Sequence, residues 1–179
     1  YSQDDQYSKE KLNGDLEKLK SYYMDRGYVN TEIESVQVTI SPNKKDIFIT
    51  INIQEGDQYT FGEQKLTGEL IYDKAVMEKY LFTKEGNTFS QNLIEISVNN
   101  FKGVLSNRGY AFAEIEPVTQ INEDDKTVDV TYYVKPGKRV YVRRINFIGN
   151  IKTKDEVLRR EMRQFEGAWF SQALVDRSK

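Results

Sequence analysis

The chain repeats itself about every 80 residues, and this repeat restricts the fold to a string of similar units. At an offset of 82 residues, SYYMDRGYVNTEIESV (21–36) aligns with GVLSNRGYAFAEIEPV (103–118), and the two segments share RGY and EIE. At an offset of 81, two further pairs align: EGDQYTFGEQKLTG (55–68) with PGKRVYVRRINFIG (136–149), and EGNTFSQNL (85–93) with EGAWFSQAL (166–174). One structural unit therefore recurs along the 179 residues.

The sequence of each unit predicts a strand followed by two helices. The opening strand is QYTFGEQKL in one copy and RVYVRRINFIG (139–149) in the next, both rich in aromatic and β-branched residues. A short helix follows, and its predicted buried residues are Val76, Met77, Tyr80 and Leu81 in one copy and Leu158, Met162 and Phe165 in the next. A second helix is predicted to begin at Ser8, Ser90 and Ser171, because serine is a favoured N-cap residue.

The second helix carries one apolar stripe. Its apolar residues step by 4, 3 and 4, at Leu12, Leu16, Leu19 and Tyr23 and again at Ile94, Val98, Phe101 and Leu105. This spacing places them on a single helix face, which we expect to be buried. Gly27 and Gly109 follow, where a helix commonly ends at a residue with positive φ.

A hairpin closes each unit. Apolar and polar residues alternate over 36–40, a turn follows at Pro42–Lys45, and alternation resumes at Ile47, Ile49, Ile51 and Ile53. The later copy alternates at Val128, Val130, Tyr132 and Val134. Because alternation indicates a sheet with one buried face, we predict α+β units of order β-α-α-β-β, each a three-stranded mixed sheet with two helices on one face.

The repeat divides the chain into three parts. We predict the C-terminal part of one unit at 1–56, a complete unit at 57–137 and the N-terminal part of a third at 138–179. The absence of an initiator Met indicates a piece of a longer protein. We expect its incomplete end units to be disordered, repacked, or completed by head-to-tail self-association of the fragment.

Composition argues against an enzyme. Cysteine and histidine are both absent, so the chain cannot build a Ser-His-Asp or Cys-His nucleophile, a Cys/His zinc site or an iron–sulfur cluster. The acidic pair Asp124 and Asp125 lies in a predicted turn, with no second carboxylate placed opposite it in a cleft. We therefore predict no catalytic residues, no metal and no cofactor.

Charge is unevenly distributed. Residues 138–179 hold 11 Lys and Arg against five Asp and Glu, a net charge of +6, so the first 137 residues carry −8 of the total −2. A basic stretch fits a surface that meets an acidic partner, anionic head groups or nucleic acid, or else an ordinary solvated face. An RNA-binding module is a remote alternative, since Arg139, Tyr141, Arg143 and Arg144 interleave charge with an aromatic residue. The acidic first part and the lack of a G-x-x-G loop argue against nucleic acid as a partner.

Several long segments resemble a known family. The β-α-α-β-β unit with RGY after its second helix is similar to a POTRA domain, and LKSYYMDRGY, YVRRINFIGN and VLRREMRQFEGAWFSQALVDRSK resemble BamA-type proteins. In that family five such domains precede an outer-membrane β-barrel, and this chain resembles the end of the third, the whole fourth and the start of the fifth. The resemblance implies a scaffold on the periplasmic side of the bacterial outer membrane. It also implies two kinds of partner, accessory lipoproteins and unfolded outer-membrane protein clients. A related insertase or a two-partner secretion transporter is the alternative within the same domain family.

Two candidate binding sites follow. The first is the edge strand Val36, Gln37, Val38, Thr39 and Ile40, which lacks proline, whereas the matching stretch of the next unit carries Pro117, preceded by Glu114 and Glu116. An exposed strand edge can pair with an extended peptide. The second site is Arg159 with Glu166, which by resemblance occupy positions that hold an accessory lipoprotein through charged contacts. The opposing interpretations are side chains packed on their own helices and ordinary exposed ion pairs.

Overall fold

The computed structural model describes residues 3–43 and 46–178, with side chains from residue 9 onward. Five helices and five strands are assigned in this part of the chain. In order they are α1 (Gln3–Met24), β1 (Glu32–Ile40), β2 (Ile47–Gln54), β3 (Thr60–Gly68), α2 (Lys74–Met77), α3 (Gln91–Ser106), β4 (Glu114–Asn122), β5 (Thr127–Lys135), α4 (Asp155–Glu161) and α5 (Gln172–Asp176). A short 3₁₀ turn, Glu78–Tyr80, continues α2. No helix in the described residues is both long and apolar enough to cross a bilayer.

The strands form two sheets. β1 and β2 make an antiparallel hairpin, and the second sheet has the order β3-β5-β4. The Thr60 amide donates to the Lys126 carbonyl at one end of β3, and the Glu69 amide donates to the Val134 carbonyl at the other. β3 therefore runs parallel to β5 and the sheet is mixed, which confirms the predicted α+β class.

The chain divides into two compact units, each drawn from several segments. The first comprises Tyr1–Glu63, Thr83–Leu93 and Thr119–Asp129, and the second comprises Gln64–Phe82, Ile94–Val118 and Val130–Lys179. Buried apolar residues of the first unit are Tyr59, Phe61, Phe89 and Val128. Those of the second unit are Leu66, Met77, Leu81, Ile94, Val98, Phe101, Leu105, Ile115, Val130, Tyr132 and Val134. The repeat boundaries at 1–56, 57–137 and 138–179 stay a prediction.

Helical periodicity locates the core correctly in the complete repeat. Every apolar residue of the predicted α3 stripe is buried, together with the small polar Ser97. The matching α1 stripe is only half-buried. Gly27 and Gly109 have φ of 90° and 94°, so both adopt the left-handed conformation predicted for them.

Several local predictions are wrong. Val76 is 42% exposed on α2, and the face of the first hairpin predicted to be buried is half or more exposed at Val38, Ile40, Ile47 and Ile49. Helix α1 begins at Gln3, so Ser8 lies inside it and is not its N-cap. Residues 139–149 form no strand and make only the isolated bridge between Tyr141 and Trp169, because no hairpin of their own unit occurs in the chain. Phe165 is 66% exposed because α4 ends before it, with Met162 already extended, and Gln164 is buried instead. The predicted turn at Pro42–Lys45 lies partly outside the described residues.

Candidate functional site

The first candidate site, residues 36–40, forms the end of strand β1. In its sheet β1 has one neighbour in the described part of the chain, β2, with Val38 opposite Ile49 and Ile40 opposite Ile47. The Ser41 amide donates to the Asp46 carbonyl at 2.9 Å, so these two residues form a hydrogen-bonded pair. Hydrogen-bonded and non-bonded pairs alternate along an antiparallel ladder. The N–H and C=O groups of Val36, Val38 and Ile40 therefore point away from β2, toward the open edge.

The side chains at this edge are apolar and exposed. Val38 is 51% exposed and Ile40 is 63% exposed. In the second repeat their aligned residues on edge strand β4 are the polar Gln120 and the polar Asn122. The first repeat thus places apolar side chains where the second places polar ones.

The second candidate site joins Arg159 and Glu166 directly. Arg159 Nη1 donates to Glu166 Oε1 at 2.8 Å, and its Nε donates to Asp155 Oδ2 at 2.8 Å. Arg159 Nη2 donates to the Ile145 carbonyl at 2.9 Å, while the Ile145 amide donates to Glu166 Oε1 at 2.7 Å. Each guanidinium nitrogen therefore has a partner within the chain. We call these contacts the Ile145 clamp.

The clamp shifts the titration of both charged groups. The Ile145 amide, and then the Arg159 guanidinium, lower the pKa of Glu166 below its ordinary value. Hydrogen bonds to Glu166 and then Asp155 raise the pKa of Arg159. Both side chains stay about two-fifths exposed, so solvent screens the ion pair.

A third feature is the junction that follows RGY. The Tyr59 amide donates to the Gly27 carbonyl at 2.8 Å, and the Phe89 amide donates to the Tyr59 carbonyl at 3.0 Å. Asp25 Oδ1 accepts from Ser90 Oγ at 3.1 Å and from the Asn92 amide at 2.8 Å. The end of one repeat is thereby hydrogen-bonded to the first strand and second helix of the next.

The second junction repeats these bonds. The Val140 amide donates to the Gly109 carbonyl at 2.8 Å, and the Phe170 amide donates to the Val140 carbonyl at 3.0 Å. Asn107 Oδ1 accepts from Ser171 Oγ at 3.2 Å and from the Ala173 amide at 2.9 Å. RGY therefore marks a junction that is built twice with the same backbone geometry.

Comparison with known families agrees with this repeated geometry. The family model described as "POTRA: Surface antigen variable number repeat" matches residues 2–56, 59–137 and 140–179. The chain belongs to the POTRA family.

Curated relatives of this POTRA chain are assembly factors. It is 31% identical over 175 residues to the outer membrane protein assembly factor BamA of Neisseria meningitidis serogroup B, covering 97% of this chain and 22% of the relative. It is 32% identical over 173 residues to BamA of Buchnera aphidicola, covering 97% of this chain and 28% of that protein. The chain thus spans about a quarter of the length of these relatives.

Solved structures of BamA POTRA domains are also similar to this chain. The Haemophilus influenzae BamA POTRA3-5 structure has a TM-score of 0.79 and 32% identity, covering 94% of this chain and 66% of that one. BamA from Haemophilus ducreyi lacking POTRA domains 1-3 has a TM-score of 0.60 and 37% identity, covering 68% of this chain and 23% of that one. This chain is therefore a BamA-type POTRA region, which lies in the periplasm at the outer membrane. The relatives are named as assembly factors, and the absence of enzymatic activity stays an expectation.

One pocket in the third POTRA repeat lies against residues whose counterparts belong to the core of the second repeat. It has a volume of about 250 Å³, and its walls include Phe147, Met162 and Gln164 beside the clamp. In the second repeat the aligned residues Leu66, Leu81 and Thr83 are buried. The pocket therefore corresponds to a position that is buried in the second repeat.

The sequence indicates the edge strand and the pair Arg159 and Glu166, whose roles as binding sites stay predictions, but it does not indicate the contacts within the pair's surroundings. Strand β1 and the pair Arg159 and Glu166 lie where predicted, whereas their engagement with Ile145 was not anticipated. The junction residues Asp25 and Asn107 were also missed, although the same 82-residue offset that aligns RGY aligns them. A comparison at that offset of the polar residues directly before RGY, just past the helix ends, would have found them.

Proposed function

We propose that this POTRA region is a scaffold of the outer-membrane β-barrel assembly machinery that docks accessory lipoproteins and receives unfolded outer-membrane proteins. Strand addition at residues 36–40 is the main docking mode. The observation that carries it is the direction of the N–H and C=O groups of Val36, Val38 and Ile40, which point to an edge with no strand beyond it in the described residues. Such groups pair with an extended segment of almost any sequence.

The side chains of this edge also favour β1 as the strand that docks a partner. Val38 and Ile40 add exposed apolar surface beside the open hydrogen-bonding groups, so an added strand would gain contacts on one face. The edge strand that corresponds to β1 in the second repeat, β4, contains Pro117, which lacks an N–H, and Glu116, which pairs with Lys135 at 3.9 Å. We therefore assign docking to β1 rather than to β4.

Glu166 and Arg159 form the second docking site in this proposal. Arg159 is occupied by three acceptors, but Glu166 uses only Oε1 in the Ile145 clamp. Its other oxygen can accept from a basic residue of a lipoprotein. Arg159 acts by holding the Glu166 carboxylate in position, so it is a positioning residue.

The edge can be tested with a matched pair of substitutions. Val38→Pro removes an outward N–H without removing a β1–β2 hydrogen bond, whereas Val38→Ala keeps the N–H and loses only side-chain contact. We expect Val38→Pro to weaken capture of a purified accessory lipoprotein at least about tenfold, and Val38→Ala to weaken it less. Circular dichroism and light scattering on each variant check the fold and any self-association. Equal binding by Val38→Pro and the parent chain would reject the edge.

The role of Glu166 in the Ile145 clamp is tested with a different pair of substitutions. Glu166→Gln keeps an acceptor for the Ile145 amide but removes the charge, and Glu166→Lys removes both. If Glu166 docks a partner through charge, Glu166→Gln should lose binding while Ile145 keeps a slowly exchanging amide. Retained binding in Glu166→Gln would restrict Glu166 to a structural role.

A further inference from the structure

We propose that Arg139, Tyr141, Arg143 and Trp169 form a face that binds the anionic phospholipid surface of a membrane. We call it the cationic aromatic face. This goes beyond the proposed function, because it needs neither a lipoprotein nor a client. It depends on the location of the chain in the periplasm at the outer membrane.

The face is built by local alternation. Arg139, Tyr141 and Arg143 are exposed, while Val140 and Val142 between them are half-buried. Trp169 lies across the bridge from Tyr141, with ring centroids 6.3 Å apart in an edge-to-face arrangement. Tyr141 is 62% exposed and Trp169 is 50% exposed. The two rings and Arg139 therefore lie together on one solvent-facing side of the second junction, and Arg143 is the next exposed residue along the chain.

Arg139 has more hydrogen-bond donors than the junction uses. Its Nε donates to the Arg108 carbonyl at 2.9 Å. At the first junction, Gln58 Nε2 makes the matching bond to the Arg26 carbonyl at 2.8 Å. A glutamine thus suffices for the structural contact. The two terminal nitrogens of Arg139 have no hydrogen bond within the described residues.

The two rings are also unnecessary for the junction. Tyr141 aligns with Thr60 and Trp169 with Thr88, and these threonines form the same antiparallel bridge. Both junctions keep the same backbone hydrogen bonds in spite of these differences. The fold therefore does not account for the aromatic residues, and exposed tryptophan and tyrosine are characteristic of binding surfaces.

The chemistry of the face fits phospholipid headgroups. The Arg139 guanidinium lies 4.0 Å from the centroid of the Trp169 ring. A guanidinium whose terminal nitrogens are unpaired can make bidentate contact with a phosphate. Neither Arg139 nor Arg143 is in an ion pair among the described residues. Tryptophan and tyrosine favour the headgroup region of a bilayer, and basic residues near it are attracted to anionic lipids. The +6 net charge of 138–179 adds to this attraction.

The test exchanges Arg139 and the two rings of the face for their counterparts at the first junction and leaves Arg143 in place. The triple variant Arg139→Gln, Tyr141→Thr, Trp169→Thr carries the residues of the first junction, so its backbone bonds should persist. Co-sedimentation with vesicles of phosphatidylglycerol and phosphatidylethanolamine measures binding, and urea unfolding checks that the variant is folded. We expect the parent to bind, the variant to lose about tenfold or more in affinity, and binding to fall with added salt. The reciprocal variant Gln58→Arg, Thr60→Tyr, Thr88→Trp should bind more tightly than the parent.

Any one of four results would overturn the proposal. Three of them come from the vesicle experiments. They are an absence of parent binding to these vesicles, equal binding by the folded triple variant, and displacement by millimolar inorganic phosphate at constant ionic strength, which would indicate a free-anion site. Tighter binding to a DNA oligonucleotide than to vesicles would also reject it. The lipoprotein capture with Val38→Pro does not involve this face, so the two proposals can fail separately.

Discussion

Gly27 and Tyr59 meet more closely than any side chain at Gly27 would permit. The Tyr59 amide donates to the Gly27 carbonyl, and a Cβ added at Gly27 would lie 2.6 Å from the Tyr59 carbonyl oxygen. Gly27 also has a φ of 90°, a conformation that residues with a side chain rarely adopt. Two independent constraints therefore require glycine at the first junction.

Gly109 provides a matched comparison for Gly27. It has nearly the same φ, 94°, but the nearest atoms to an added Cβ lie at 3.4 Å. We expect Gly109→Ala to cost about 1–2 kcal/mol through backbone strain alone. Gly27→Ala should cost about 1–3 kcal/mol more because the Tyr59 backbone must move. Urea unfolding of both variants measures the difference, and equal losses would contradict it.

Most of the structure of the second repeat could be predicted from the sequence, but little of the structure of the third. The α3 stripe was predictable because one periodic face is covered along its whole length, and Gly27 and Gly109 were predictable because a helix ends at each. Phe165 was assigned wrongly because helical spacing was extended past Glu161, where the backbone is no longer helical. The Ile145 clamp could not be predicted, because it depends on how three separate segments meet in space.

Asp25 should tolerate an amide but not an apolar residue. Its Oδ1 accepts two hydrogen bonds at the start of α3, and Asn107 accepts the same two at the start of α5. We expect Asp25→Asn to lose only the attraction of a charge to a helix N-terminus, about 0.3–1 kcal/mol. Asp25→Ala should lose more, about 1–2 kcal/mol, because the Asn92 amide then lacks its partner. Urea unfolding tests the order, and a larger loss for Asp25→Asn would disprove it.

The Ile145 clamp predicts a specific pH dependence. Because the pKa of folded Glu166 lies below its ordinary value of 4.5, its ionised form stabilises the folded chain above that pH, and this contribution is lost as the pH falls through the lower, folded value. Carbon-13 NMR titration of the Glu166 carboxyl should give a midpoint below 4.5. Arg159→Gln should raise the midpoint only part of the way, since the Ile145 amide still donates. A parent midpoint at or above 4.5 would show that the clamp does not form in solution.

Gln164 should be hard to replace even though it touches no proposed partner. It is fully buried, its Oε1 accepts from the Ser171 amide at 2.9 Å, and its Nε2 donates to the Phe165 and Trp169 carbonyls at 3.2 and 3.1 Å. Gln164→Leu would leave the buried Ser171 amide unpaired, which costs about 1–3 kcal/mol.

Gln164→Glu separates the hydrogen bond that Gln164 accepts from the two that it donates. It keeps an acceptor for the Ser171 amide but replaces the donor to both carbonyls with an oxygen, so we expect a loss at neutral pH that shrinks in acid as the carboxyl gains a proton. Urea midpoints of both variants at pH 7 and pH 4.5 measure this. A pH-independent loss for Gln164→Glu would mean that the donated hydrogen bonds contribute little. Because Trp169 belongs to the cationic aromatic face, vesicle binding by Gln164→Leu would also show how far that face depends on Gln164.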